Sequence, residues 1–446
     1  MRKKINKQGS LLPPPIPHQH AKEFQTISGL LDQHPQILDL VHHDLTAHLK
    51  NPSRGRPGLS ADQLLRILLV KQMESLSYEQ LAFHLLDSLT YRHFCRLSYA
   101  DNFNAKSLQQ NLKRMTARTL EFINYILLQY AQSAGFEKGR KVRFDSTVVE
   151  SNIHKPTDSS LLYDTIRVLA RLMGRLPAGA ISGFSNHTRR AKRRHIAIAN
   201  AKRNKERKAL YKDLFKIARK TLSAAQRFLT KYSGGCAAAT DQHLGKIAHF
   251  HELGRRVLSQ AERRTLNEEK VPVEDKVVSI FEEHSDIIVK DRRQTYYGHK
   301  LNLATGASGL ILDCIIEDGN PADASRAVTL VERQEEIYDR VPRQVSFDGG
   351  YASKKNLQEI KGLGVKDVSF SKKRGLKVDD MVKSTWVYKR LKRFRAGIEA
   401  GVSFLKRCFG LDRCTWRSLE SFHSYVWGSV VSANLLMLAR HILSQN

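Results

Sequence analysis

Three acidic residues stand in local sequence patterns that favour chemistry. Asp145 lies within an alternating run of β-branched and aromatic residues, and Asp348 directly follows a similar short run. Glu399 lies in a segment with helical periodicity. Two strand carboxylates and one helix carboxylate offer hard oxygen ligands, which suit Mg²⁺ or Mn²⁺. Because such ions are the usual means of cutting and joining phosphodiesters, the pattern predicts a metal-dependent reaction on nucleic acid.

Each carboxylate also has an ordinary structural interpretation. Arg143 alternates onto the same strand face as Asp145 and is placed to neutralise it. Asp348 precedes two glycines, which is typical of a simple turn but also lets a ligand approach the backbone closely. Arg395 precedes Glu399 by one helical turn, the spacing of a surface ion pair. The local patterns leave both interpretations open.

The charge of the chain indicates an anionic partner. Lys and Arg number 74 against 44 Asp and Glu, which gives a formal net charge of +30. Such an excess is typical of proteins that bind nucleic acid. A ribosomal or architectural protein is the simpler interpretation, but 446 residues with 41% hydrophobic content can build two or three packed domains.

The cysteines and the apolar runs of the chain indicate its cellular compartment. The five cysteines are scattered without CxxC spacing, which favours a reducing compartment and disfavours a structural zinc site. The first residues lack the apolar core of a secretory signal. The most apolar stretch, Val426–Leu438, is shorter than the ~20 residues of a membrane span and predicts a buried helix. We therefore expect a cytoplasmic protein without a membrane partner.

The chain divides into three parts. Residues 1–23 predict a flexible, basic, Pro-rich tail. Residues 24–138 are helical in pattern and predict an all-α N-terminal domain for DNA binding or assembly, either of helix-turn-helix type or an ordinary bundle. Residues 139–446 alternate strands and helices, and residues 159–270 within them predict a helical insertion.

Several local signals predict element boundaries. Capping boxes at Ser60–Gln63 and Ser77–Gln80 each predict a helix start, and Ser107–Gln110 predicts a third helix that continues through Leu120. Strands are predicted at 277–281 and at 365–370, among others. The order of three strands, a helix, a strand and a helix predicts an α/β fold of ribonuclease H-like type, with a long basic helical insertion after its first strand.

Basic runs mark two further candidate DNA contacts. Lys and Arg greatly outnumber Asp and Glu in the insertion, so self-repulsion there calls for an external anion, although a solvated helix face is the common meaning of such a run. The candidate phosphate ligands are Arg189, Arg190, Lys192, Arg193, Arg194, Lys372, Lys373 and Arg374.

Taken together, these motifs resemble the bacterial insertion-sequence transposases of the DDE class, in particular the ISNCY-like group. Many such enzymes carry a signature of Tyr, Arg, Glu and Lys, which this chain matches at Arg395, Glu399 and Lys406. It departs at the Tyr position, which is Lys392. The resemblance spans about residues 55–440 and includes these further segments: Asn152–Ser160, Tyr297–Lys300, Gly319–Asp323, Phe347–Gly350 and Leu59–Leu97.

The resemblance implies a ribonuclease H-like core on which Asp145, Asp348 and Glu399 are catalytic and bind two Mg²⁺ or Mn²⁺ ions. It implies double-stranded DNA as partner, both transposon ends and target, and a homodimer or larger assembly. Arg395 and Lys406 would hold phosphates. Accessory roles are assigned to His154, His299 and Lys300, for which structural roles are the simpler interpretation.

Two other functions fit the same residues. A metal-dependent nuclease could share the fold and the trio but cut without joining. A DNA-binding protein derived from a transposase could keep the fold and no longer catalyse.

Overall fold

The computed structural model describes residues 3–4, 17–52, 54, 58–98, 100–175, 184–232, 238–290 and 294–445. They form two compact units. The first contains the described residues up to Asn152 and from Gly298 onward, and the second contains those from Ile153 to Tyr297. Most of the predicted tail lies outside the described residues. The predicted boundary at residue 138 falls inside the first unit, and the predicted insertion lies inside the second.

Seven helices open the first unit. They are α1 (Gln19–Gln33), α2 (Gln36–Thr46), α3 (Ala61–Met73), α4 (Tyr78–Asp87), α5 (Leu89–Phe94), α6 (Ala105–Leu112) and α7 (Ala117–Ser133). The predicted capping boxes at Ser60 and Ser77 are both present and start α3 and α4. The predicted third helix is wrong in its extent. Asn104 caps α6, and Thr116 caps a separate helix, α7. In each case the side chain accepts a hydrogen bond from the backbone N–H three residues further along the chain.

A mixed sheet follows in the chain. Its strands are β1 (Lys141–Glu150), β2 (Asp286–Lys290), β3 (Gln294–Thr305), β4 (Ile311–Ile316), β5 (Gln344–Phe347) and β6 (Asp367–Phe370). The strand order is β2-β3-β1-β5-β6, and β4 also pairs with β3. β1 is antiparallel to β3 and parallel to β5, which is parallel to β6. Asp145 and Asp348 therefore lie on or just beyond neighbouring parallel strands.

The remaining elements of the first unit cover the sheet. They are α12 (Ala327–Tyr338), α13 (Lys354–Gly362), α14 (Val378–Met381), α15 (Thr385–Cys408), α16 (Leu419–Leu443) and two short 3₁₀ turns, Asp323–Ser325 and Gly349–Tyr351. On the β1 face that carries Arg143, the guanidinium donates to the Phe394 carbonyl of α15 at 2.8 Å. In β5, Ser346 Oγ donates to the Leu391 carbonyl of the same helix at 3.2 Å. These contacts fix α15, which carries Glu399, against the two strands that position the aspartates.

α16 joins the helical part of the first unit to the sheet. It packs against α7, α1 and α3. Asn434 donates to Asn124 Oδ1 at 2.6 Å and accepts from the Ile311 N–H at 2.8 Å. By length and composition α16 is apolar enough to cross a membrane, but 72% of its most apolar window is buried within the protein. The prediction of a buried core helix over Val426–Leu438 is confirmed.

The second unit has its own core. Its helices are α8 (Asp158–Met173), α9 (Thr188–Asn200), α10 (Asn204–Tyr232) and α11 (Ala238–Thr265). The predicted strand at 277–281 is wrong. The Gln260 side chain bonds both backbone groups of Val277, and Ser279 Oγ accepts from the N–H groups of Phe281 and Glu282. These side-chain bonds give the backbone the partners that a strand neighbour would otherwise supply.

Candidate active site

Asp145 lies midway along β1, on the strand face opposite the buried Val142 and Phe144. One carboxylate oxygen, Oδ1, accepts a hydrogen bond from the Ser146 N–H at 2.9 Å. The other, Oδ2, accepts from Arg395 Nη2 at 2.9 Å. The counter-charge of Asp145 therefore comes from Arg395 on α15. The sequence had suggested a different cation, the strand neighbour Arg143.

Asp348 follows β5 directly and begins a 3₁₀ turn. Ser371 Oγ donates to its Oδ1 at 2.6 Å. Burial opposes ionisation of Asp348, but bonds from Ser371 and the Gly349 N–H and the charges of Arg395 and Lys372 hold the pKa of its carboxyl below its usual value. The group is therefore kept as a carboxylate, the form that binds cations.

The two glycines after Asp348 are required by close packing. A Cβ on Gly349 would lie 2.7 Å from Lys372 Cβ, and one on Gly350 would lie 2.7 Å from Asp323 Oδ2. Both distances are shorter than real Cβ atoms show, so a larger residue would push the turn away. The glycines therefore bring Lys372 and Asp323 against the Asp348 turn.

Glu399 projects from α15 with its side chain 65% exposed. The helix is held by buried Leu391, Ile398 and Leu405. A Cβ on Gly397 would lie only 2.2 Å from Arg143 Nη1, so α15 approaches β1 closely beside Glu399. Glu399 Oε1 accepts from Arg395 Nη1 at 2.8 Å, which is the ion pair of one helical turn that its spacing predicts.

Arg395 brings the three carboxylates together. Its guanidinium contacts Asp145 at 2.9 Å, Glu399 at 2.8 Å and Asp348 at 3.6 Å, and its side chain is only 14% exposed. Sequence reasoning assigned this arginine to phosphate, and the structure places it among the carboxylates. Within the described ranges, no group of three His, Cys, Asp or Glu side chains is arranged to hold a metal ion as it stands. At the carboxylates, the position between them is taken by the Arg395 guanidinium.

A basic loop borders Asp348. Lys372 lies close enough for its charge to act on the Asp348 carboxyl. Lys373 Nζ stands 5.5 Å from the centre of the Tyr388 ring, and Arg374 has a left-handed φ of 44°. Their assignment as DNA ligands stays a prediction, but this loop does lie beside the candidate site.

Lys406 is placed less centrally. Its Nζ lies 3.6 Å from Asp412 Oδ1, near the C-terminal end of α15. That contact sets it apart from Arg395, which contacts the carboxylates directly. The phosphate role of Lys406 stays a prediction.

His299 and Lys300 are buried in β3. His299 Nδ1 lies 3.3 Å from the Glu317 carbonyl oxygen, and its ring packs edge-on against Phe422. Lys300 Nζ pairs with Asp323 Oδ1 at 2.5 Å. Because Asp323 lies against the Asp348 turn, Lys300 supports the site through a second carboxylate rather than by direct contact.

The candidate residues of the second unit form their own contacts. His154 Nε2 lies 3.7 Å from Asp164 Oδ2. On α9, both Arg190 and Arg194 bind Asp213 of α10. Three other basic residues of α9 are exposed: Arg189, Lys192 and Arg193. Within this unit, two of the five predicted DNA ligands therefore also brace α9 against α10.

Sequence reasoning missed the residues that hold the site from behind. Tyr351, fully buried after the glycine pair, donates to Asn302 Oδ1 at 2.7 Å. Asn302 faces Ser146 in the β1–β3 register, next to Asp145. Burial raises the pKa of the Tyr351 hydroxyl, so it remains a donor. An aromatic residue after two glycines was the available signal, but its partner on another strand could not be found without the register.

Two protein-family models match parts of the chain. Residues 271–435 match the family model described as a transposase DDE domain, and residues 17–114 match the model described as a transposase domain (DUF772). The first match contains Asp348, Arg395 and Glu399, and Asp145 lies outside it. No curated protein and no solved structure matches the chain.

A mixed sheet and two transposase models define a DNA transposase, an enzyme. The two matches support an insertion-sequence transposase of the DDE class. Enzymes of this class act on DNA and use divalent metal ions. Membership of the ISNCY-like group stays a prediction.

Proposed function

We propose that Asp145, Asp348 and Glu399 are the catalytic carboxylates of this transposase. The observation that carries the proposal is that side chains from β1, the end of β5 and α15 meet at one guanidinium. The order β4-β3-β1-β5-β6, with β1 antiparallel to β3 and parallel to β5, supports the ribonuclease H-like core predicted for residues 139–446. The long basic helical insertion would then be the second compact unit.

The donor set suits Mg²⁺ or Mn²⁺, and two ions are proposed. The oxygens already bind a cation, Arg395, and the polar groups around Asp348 keep it ionised. Asp145 would bind both ions, and Asp348 and Glu399 would each complete one of them. Bound divalent ions would supply Lewis acidity at a phosphate and lower the pKa of a nucleophilic water or hydroxyl.

The reaction would have two steps, and protein groups would position the phosphate and the carboxylates in both. In the first step, water attacks a phosphorus at the transposon end, the P–O3′ bond breaks, and a 3′-hydroxyl and a 5′-phosphate are released. In the second step, that 3′-hydroxyl attacks a target phosphorus and the target P–O3′ bond breaks. Lys372 and Arg395 lie where a phosphate beside the carboxylates would need positive charge, and the Tyr351–Asn302 bond keeps the Asp348 turn beside β1.

DNA would also contact the second unit. Arg189, Lys192 and Arg193 are exposed on α9, and His154 is exposed shortly before α8. We propose that α9 binds phosphates along the duplex, that the N-terminal helices bind DNA or a second copy, and that a homodimer or larger assembly acts on paired ends. The protein would then work on the bacterial nucleoid in the cytoplasm.

The test uses a short DNA element built from the sequence that flanks this coding region. Full-length protein is incubated with Mn²⁺, and cleavage and strand transfer are measured separately. Asp145→Asn, Asp348→Asn and Glu399→Gln should each lower both steps by about a hundredfold or more. Glu420→Gln, at an exposed position on α16, is the matched control and should leave both steps unchanged.

Three results would replace the proposal. Cleavage without strand transfer would indicate a nuclease. DNA binding without metal-dependent cleavage would indicate a catalytically silent relative. Wild-type activity in any of the three carboxylate variants would remove that residue from the site.

A further inference from the structure

Arg395 differs from an arginine whose role is only structural. Its two terminal nitrogens serve three carboxylates, yet its buried Nε has no hydrogen-bond acceptor within the described part of the chain. By contrast, Arg66 in α3 donates through Nε and through both terminal nitrogens. A buried donor without a partner is unfavourable, so this position of Arg395 is less than fully satisfied.

The charges around Arg395 are also unbalanced. Three carboxylates face one guanidinium, so the cluster keeps an excess of negative charge. Asp348 lies furthest away, at 3.6 Å, and it depends on Ser371 and Gly349 as well. Arg395 occupies one oxygen of each of the three carboxylates, and a divalent ion bound by the same carboxylates would compete for these oxygens. Two cations cannot share the same lone pairs, so the guanidinium and such an ion would compete at these atoms.

We propose that Arg395 is a resident counter-cation of the carboxylate trio. It gathers Asp145, Asp348 and Glu399 while no divalent ion is bound, and a divalent ion binds only as the guanidinium withdraws. This inference rests on the proposed catalytic role of the trio. It assigns Arg395 a positioning role that competes with metal, in addition to the phosphate contact predicted from its sequence spacing.

Removing the competitor should strengthen metal binding. Without Arg395, three carboxylates would repel one another and would gain more from a doubly charged ion. Breaking a partly buried ion-pair network is worth on the order of 1 kcal/mol, which corresponds to about fivefold in affinity. The alternative, in which Arg395 only pre-shapes the site, predicts the opposite sign.

The experiment measures Mn²⁺ binding to the full-length, DNA-free protein by electron paramagnetic resonance. Arg395→Gln should bind Mn²⁺ about fivefold more tightly than the wild type. Arg395→Lys keeps one charge but cannot bridge three carboxylates. Its Mn²⁺ affinity should therefore lie between those of the wild type and Arg395→Gln. Arg393→Gln is the matched control, because Arg393 is exposed on the same helix and, among the described residues, forms no ion pair. The Mn²⁺ affinity of Arg393→Gln should stay within about twofold of that of the wild type.

Equal or weaker binding in Arg395→Gln would overturn the proposal. If circular dichroism shows that this variant does not fold, Arg395→Lys decides in the same way. Asp145→Asn separates this inference from the proposed function. Wild-type Mn²⁺ binding in Asp145→Asn would place the metal elsewhere and overturn both, whereas lost binding there with unchanged affinity in Arg395→Gln would overturn only the counter-cation.

Discussion

Arg66 and Arg395 each bind two or more carboxylates, but the cluster around Arg66 is closed and balanced. Arg66 is fully buried and pairs with Asp62 at 2.6 Å and with Asp32 at 3.1 Å. Arg96 binds the remaining oxygens of the same two aspartates. Two arginines thus meet two aspartates, and the Arg66 donors that remain reach Ser28 and a backbone carbonyl.

The cluster around Arg395 is open and unbalanced. One guanidinium meets three carboxylates, one of which, Glu399, is mostly exposed. The difference teaches how to separate a structural ion-pair network from a site. A network that is saturated in charge and hydrogen bonds has no capacity for a ligand, whereas an excess of carboxylates around one guanidinium has capacity for a cation.

The largest expected effect is on stability. Arg66→Ala should lower the free energy of unfolding by about 3–5 kcal/mol, because it leaves buried Asp62 without its closest partner. Arg395→Ala should lower it by only about 1 kcal/mol, because it removes a donor without a partner and because Asp348 and Glu399 stay in contact with water. Urea unfolding followed by tryptophan fluorescence measures this, since Trp386, Trp416 and Trp427 all lie in the first unit.

The control for this prediction replaces both members of the buried pair. Arg66→Leu combined with Asp62→Leu removes the charges together and should recover most of the stability lost in Arg66→Ala. Equal losses from Arg66→Ala and Arg395→Ala would show that the two clusters do not differ as described.

Part of this contrast was predictable from the sequence. Asp145 and Asp348 were located by strand patterns, and Glu399 by helix spacing, because those signals are local. The capping boxes at Ser60 and Ser77 were predictable for the same reason. The contact between Arg395 and Asp145 was not, because the two residues lie far apart in the chain and only the packing of α15 on β1 joins them.

The errors share one physical origin. The segment 277–281 has strand-like composition, but the Gln260 side chain satisfies Val277, so a helix replaces a strand as its partner. The Arg66 network was missed because Asp32 and Arg96 come from outside α3, and no spacing within one helix relates them. Local composition predicts what a segment can form, and tertiary partners decide which form it takes.

A second prediction sharpens the comparison within α3. Lys71 is buried in the same helix as Arg66, and its Nζ lies 5.0 Å from the Tyr78 ring centre. Burial lowers its pKa from 10.5 to about 8. Lys71→Met should therefore raise the free energy of unfolding at pH 7 by about 2 kcal/mol.

The pH dependence of the Lys71 effect has a defined sign. Between pH 8 and 10.5, Lys71 holds a proton in the unfolded chain that it has lost in the folded protein. The free energy of unfolding of the wild type therefore rises with pH in this window. The advantage of Lys71→Met should be full below pH 8 and should shrink across that window. Urea unfolding of both proteins at several pH values measures this difference, and an advantage that grows with pH would contradict the assignment.

The smallest expected effect tests the other cluster through Ser371. Ser371→Ala removes the 2.6 Å bond to Asp348 Oδ1 and should weaken Mn²⁺ binding by about tenfold, as loss of a ligand-orienting bond does. Because that bond favours the carboxylate, the pKa of Asp348 should rise in the variant, and Mn²⁺ binding should fail at a higher pH than in the wild type. Ser133→Ala, at an exposed position on α7, loses a bond to the Tyr130 carbonyl and none to the carboxylates, and it is the matched control. If both serine variants shift Mn²⁺ binding equally, the bond to Asp348 has no special role, and the open cluster would differ from the closed one only in exposure.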